Sequence, residues 1–212
     1  YGVAALEAVC VLARAASAQR DVRDALELLI ELLPATTEAQ ALAALPAAVE
    51  TASKLHSRRE RVSYLVRACR AALLTGARPV AREEPLREFF ATVPPSAAGA
   101  DELLLALVTV FNEVLDGATT GNNNDATATA MALCVVLLEA TPACLEHAGD
   151  ESECAVDAWL RWAFRLLRVL TDAGTGADTE ALRKRAGAVL EQLVPRVAGV
   201  ASDALAAEAV YL

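Results

Sequence analysis

Residues 57–73 read Ser-Arg-Arg-Glu-Arg-Val-Ser-Tyr-Leu-Val-Arg-Ala-Cys-Arg-Ala-Ala-Leu, and this stretch decides the fold class. Ser57 followed three residues later by Glu60 has capping-box spacing, in which a hydroxyl and a carboxylate answer the unpaired N–H groups that open a helix. Beyond the cap, Val62, Leu65, Val66, Cys69 and Leu73 recur at three- and four-residue steps and mark the buried face. Arg59, Ser63, Arg67 and Arg70 take the opposite face, giving an amphipathic helix. Nowhere in the chain do strand-favouring residues gather in alternating runs.

Reading outward towards the start of the chain, Pro46 sits inside a helical pattern that opens near Thr37, where a missing N–H should kink or split the helix. Before it, Val22, Leu26, Leu29, Ile30 and Leu33 form one face of a helix closed by Pro34, and Leu6, Val9, Cys10 and Ala13 form the face of another. Towards the end of the chain, Gly76 and Pro79 mark a loop, and a short helix follows over residues 85–92. Asp101 then caps a helix to about residue 115 that is apolar nearly all round, with Glu102, Thr109, Glu113 and Asp116 as a narrow wet stripe. Such a helix is expected at the centre of a fold. Residues 117–125 contain Gly-Asn-Asn-Asn-Asp and read as a surface loop dispensable for folding. Further helices are predicted over residues 125–139, 142–149, 151–171 and 179–194, the last stopped by Pro195, with a final one from Ser202 to Tyr211.

Paired in order, these helices open new pairs near residues 3, 37, 82, 125 and 178. Short connections make neighbours antiparallel. Most intervals fall near the roughly 40–47 residues of armadillo and HEAT units. In layout, though not through any repeated residue signature, the chain resembles an armadillo/HEAT-type array over most of its length. The expected fold is all-α, an array of antiparallel helix pairs or, alternatively, a single irregular helical bundle. The string from Leu107 to Asn112 is similar to one helix of the helical arm in PCI-type subunits of translation initiation complexes.

Composition agrees with helix. Hydrophobic residues make up 55% of the 212 and aromatics only 4%, so Ala, Leu and Val carry the core, and Ala and Leu are the best helix formers. The longest uncharged stretch, Ala126 to Leu138, has 13 residues, where a membrane span needs roughly 20. Cys10, Cys69 and Cys134 lie on apolar faces as small buried hydrophobes, and the five cysteines form no framework, which favours a reducing, cytoplasmic setting. The opening Tyr1, already within a helical pattern, is expected of a piece of a longer protein or a processed product.

Groups with catalytic potential are sparse. His56 precedes a helix cap and reads as exposed. Cys144, His147 and Cys154 could supply two thiolates and an imidazole to zinc, but a fourth ligand at normal spacing is missing, and the expectation is no metal. Phosphate-binding glycine motifs are absent, and the carboxylates show no sign of a shared buried site. Trp159 and Trp162 are expected to pack between helix layers. No catalytic residue and no cofactor is expected.

Charge is the non-random feature. Net charge is −9, but residues 54–87 hold nine basic and three acidic side chains, and residues 88–160 hold twelve acidic and no Lys or Arg. In a stacked array, sequence segments map to successive positions, so a basic zone should adjoin an acidic one. The expected function is a non-enzymatic protein–protein interaction scaffold within an intracellular complex. Its partner would be another protein or peptide, an acidic one by charge, met by Arg58, Arg59, Arg61, Arg67 and Arg70. The alternative is a nucleic-acid or ribonucleoprotein contact through the same arginines, although among them only Tyr64 could stack on a base.

Overall fold

The computed structural model describes residues 2–75, 78–79, 83–92, 99–120, 124–140, 153–173 and 176–197. Its elements are α1 (Gly2–Ala15), α2 (Gln19–Leu32), a 3-10 turn (Leu33–Ala35), α3 (Glu38–Ser53), α4 (Arg58–Leu73), β1 (Leu74–Thr75), β2 (Arg78–Pro79), α5 (Glu83–Thr92), α6 (Ala100–Thr120), α7 (Asn124–Ala140), α8 (Glu153–Asp172) and α9 (Ala177–Val197). The fold is all-α. Among the described residues its only strands are the two-residue antiparallel pair β1–β2, in register Leu74 with Pro79 and Thr75 with Arg78.

The helices alternate between two rows. Even-numbered helices pack side by side in the order α2, α4, α6, α8, and odd-numbered ones in the order α1, α3, α5, α7, α9. Contacts between the rows, α1 on α2, α3 on α4, α6 on α7 and α8 on α9, enclose one continuous core. In the even row, α2, α4 and α6 run the same way. Arg23 meets Glu60 and, further along both helices, Glu27 meets Arg67; Arg61 meets Glu102 and Arg70 meets Glu113. Each pairing advances along both helices together, which requires α2, α4 and α6 to be parallel.

Local sequence explains the helix ends. Thr37 N–H donates to the Gln40 side chain at 3.1 Å, and Ser57 Oγ accepts from Glu60 N at 3.4 Å. The second half of the expected Ser57–Glu60 box is replaced: the Glu60 carboxylate accepts instead from Arg23, at 3.0 and 3.2 Å, because a charge-assisted bond to guanidinium outweighs one to a backbone N–H. Lys54 reaches across from the end of α3 and donates to the last carbonyls of α1, including Ala16 O at 3.0 Å, where a cation also suits the helix dipole.

Prolines do not break the helices that contain them. Pro46 lies within α3 and Pro195 within α9, so the expected stop at Pro195 is overturned. In α3 the cost of one lost hydrogen bond is outweighed by packing: Leu42, Leu45, Ala47, Ala48 and Val49 are all buried around the proline. The buried Thr51 hydroxyl is satisfied by Ala47 O at 2.6 Å.

The expected loop at residues 117–125 is also overturned. Helix α6 continues to Thr120 and α7 starts at Asn124. A glycine inside a helix costs only about 1 kcal/mol against alanine, and Asn and Asp favour helix starts as much as loops. Residues 121–123 lie outside the described residues, and so do the helices expected over 142–149 and from Ser202. Helix α6 is central, between α4 and α8 and against α7, but its wet stripe is partly dry: Glu102 is buried.

Trp159 and Trp162 are fully buried on α8, and Trp162 meets Phe111 of α6 edge-on, with centroids 6.3 Å apart at 83°. No described helix is long and apolar enough to cross a membrane.

Candidate functional site

The five arginines singled out in the sequence lie on or at the start of α4, and the structure divides them. Arg58 and Arg59 sit in the first turn, exposed, with no ion pair among the described residues. Arg61, Arg67 and Arg70 are engaged by acidic side chains of the flanking helices, which corrects the expectation of a free basic face. Arg67 forms a two-pronged pair with Glu27 of α2, one prong at 2.6 Å, and stacks over the Tyr64 ring, 5.5 Å from its centroid. Arg70 grips both carboxylate oxygens of Glu113 on α6, one at 3.0 Å. The hydrogen bond from Arg67 holds Glu27 below the usual carboxylate range and raises Arg67 in turn; the one that Arg70 donates to Glu113 raises Arg70. Burial pushes the Tyr64 phenol up, with Glu27 adding to it.

Arg61 lies deepest. Its guanidinium is 2.8 Å from Glu102, with side-chain exposures of 23% and 10%, and it also donates to Leu55 O at 2.9 Å. This arginine therefore joins α4, the end of α3 and α6. The other half of the prediction for α4 stands: Leu65, Cys69 and Leu73 are buried and Val62 and Val66 partly so, and Ala68 and Ala72 belong to the same face.

The same pattern runs through both rows. Asp116 and Asn112 of α6 take Arg165 of α8; Arg14 of α1 pairs with Glu50 of α3 at 3.1 Å; Glu139 of α7 holds Arg87 of α5 and Arg185 of α9, each at 2.7 Å. These contacts account for the charge zones of the sequence. The acidic helices α6 and α7 each lie between two neighbours that present arginine. The segregated charge is complementary within the chain itself, and the segment without Lys or Arg is the one flanked on both sides by basic helices.

A different surface remains uncovered. Val3, Val11 and Leu12 on α1 and Leu28 on α2 are exposed, Val11 at 63% and Leu12 at 62%. Between α1 and α3 runs a groove of about 310 Å³, with Val3, Leu6, Cys10 and Val11 among the residues of one wall and Gln40, Ala43 and Ala44 on the other. The apolar line Leu6, Val9, Cys10 and Ala13 of the sequence does not include Val3, Val11, Leu12 or Leu28. The available signal was apolar side chains on more than one face of a helix with only two charges, Glu7 and Arg14.

His56 is exposed, as expected, and its backbone N–H donates to Gln19. Cys144 and His147 lie outside the described residues, and Cys154 belongs to the first turn of α8. No group of three or more potential metal ligands occurs among the described residues. Cys69 is pushed up to about 12 by burial, and Cys134 higher still for the same reason, so both are inert, apolar fillers. No family model matches the chain, and no curated protein or solved structure is significantly similar to it.

Proposed function

We propose that this chain is a non-enzymatic interaction scaffold that holds another protein within an intracellular complex, through the apolar side of α1 and α2. The observation that carries this reading is the exposure of Val3 and Val11 along an open groove, with Leu12 of α1 and Leu28 of α2 exposed as well, since grouped exposed apolar side chains mark interaction sites. A contact with nucleic acid through the basic face has less support, because Arg61, Arg67 and Arg70 are already matched by Glu102, Glu27 and Glu113. The test is partner recovery from cell extract with the wild-type chain and with Val11→Asp/Leu12→Asp. Both sites are exposed, so the variant should melt like the wild type, and it should lose the bound protein. Recovery of the same proteins by both chains, or binding of nucleic acid that falls steeply with added salt, would overturn the reading.

A further inference from the structure

The groove between α1 and α3 has one charged feature that its surroundings leave unanswered. Val3, Glu7 and Val11 are spaced four residues apart, so they form a single stripe along α1, about 12 Å long at 1.5 Å per residue. Glu7 lies at its middle and lines the groove. It is exposed and makes no ion pair among the described residues. The other charged group lining the groove, Arg14, is held by Glu50 across its end. The floor beneath the stripe is apolar, formed by Leu6 and Cys10, and the far wall is Ala43 and Ala44 together with the neutral Gln40 amide, whose oxygen accepts from Thr37 N–H; the small alanines leave room for larger side chains from outside. The Cys10 thiol is raised by its partial burial there.

An apolar partner seated over Val3 and Val11 would strip water from Glu7. A carboxylate covered in this way costs heavily unless a donor or a cation replaces the water. The partner must therefore bring positive charge to the middle of an apolar contact, and the Arg14 end of the groove, already cationic, disfavours placing that charge there. We propose that this groove docks an amphipathic helix of another protein, one that carries a Lys or Arg with an apolar residue one turn before it and another one turn after. The proposal rests on the scaffold reading above and specifies the chemistry of the partner.

Two fluorescein-labelled 18-residue helical peptides, Ala-based and with the core Leu-Ala-Ala-Ala-X-Ala-Ala-Ala-Leu, differ only at X, which is Lys in one and Glu in the other. Fluorescence polarisation with the whole chain should show the Lys peptide binding at least tenfold more tightly. Glu7→Lys should invert the preference, Glu7→Gln should flatten it, and Val11→Asp should abolish binding of both. Bound Lys peptide should also slow maleimide labelling of Cys10, read by peptide mass mapping. Equal affinity for the two peptides, or a preference that survives Glu7→Lys, overturns the proposal. Binding of the Lys peptide that Val11→Asp leaves intact moves the contact elsewhere and overturns the groove assignment while the scaffold reading stands. If the chain sediments as a dimer that Val11→Asp dissociates, the groove belongs to a second copy, and the proposal fails. No binding by either peptide also overturns it, and partner recovery then decides the scaffold reading alone.

Discussion

Replacing Arg61 by alanine should be among the most damaging single changes to a charged side chain in the described structure. Glu102 would keep its position on α6 with only 10% of its side chain exposed, and its counter-ion would be gone. Removing one member of a buried pair costs about 3–5 kcal/mol, because the remaining charge is left without compensation. The 23% exposure of Arg61 admits some water, which lowers the expectation to about 2–4 kcal/mol. The lost hydrogen bond to Leu55 O lies within that range. At about 2–4 °C per kcal/mol for a chain of this size, the melting temperature should fall by roughly 4–16 °C. The measurement is urea and thermal unfolding followed by circular dichroism, on Arg61→Ala, Glu102→Ala and the double variant. Buried pairs replaced together by apolar groups are often close to neutral, so the double variant should be more stable than the sum of the singles implies, by about 1 kcal/mol or more. A cost below about 0.5 kcal/mol for Arg61→Ala, the level of an ordinary surface change, would mean that Glu102 is well hydrated and would refute the reasoning.

Acid should reveal the Glu139 node. Arg185 first and then Arg87 hold its carboxyl below the usual range, so its contribution is fully present above the unfolded value near 4 and is lost as pH falls through the lower folded value; Glu139→Gln should flatten that part of the stability–pH curve, and an unchanged acid limb would dismiss the node. Alkylation of the native chain should modify Cys10 well before Cys69 or Cys134, whose thiols are buried, with all of them reacting alike in urea; early labelling of Cys69 by mass mapping would contradict the packing of α4. Gly187 lies within α9 with no atom within 4 Å of where a Cβ would stand, so Gly187→Ala should raise stability by about 0.5–1 kcal/mol, and a lower urea midpoint would show that the site is crowded.

Helix identity was legible because the signals are local. The cap at Ser57 and apolar steps of three and four residues need only one turn of neighbours, and the expected pair starts fall within about a residue of Gly2, Glu38, Glu83, Asn124 and Ala177. Interruptions were less legible, because Pro46, Gly117 and Pro195 are tolerated through tertiary packing that a local pattern does not contain. The charge zones were visible, but their purpose was not, since the partners lie far apart in the chain: Arg67 and Glu27 are 40 residues apart, Arg61 and Glu102 41, Arg70 and Glu113 43. That separation is close to the interval between helix pairs, so opposite charges one interval apart were the readable clue. Exposure at Val11 and Leu12 depends on what does not pack against α1, and periodicity alone does not report it.

The alternation of basic and acidic neighbours along each row bears on how the chain tolerates insertion and deletion. In arrays of equivalent units, one unit can be excised and the ends rejoined, because every junction is alike. Here the junctions have a sign. Excising α5 and α6 would seat α4 against α8 and bring Arg61 and Arg70 towards Arg165, with Glu102, Glu113 and Asp116 removed. Like charges so placed repel by about as much as the native pairs attract, and the cost would recur at each contact along the seam. The number and order of helix pairs are thereby written into the charge of each helix, and a change of length by one unit requires a compensating change of sign in every unit that follows.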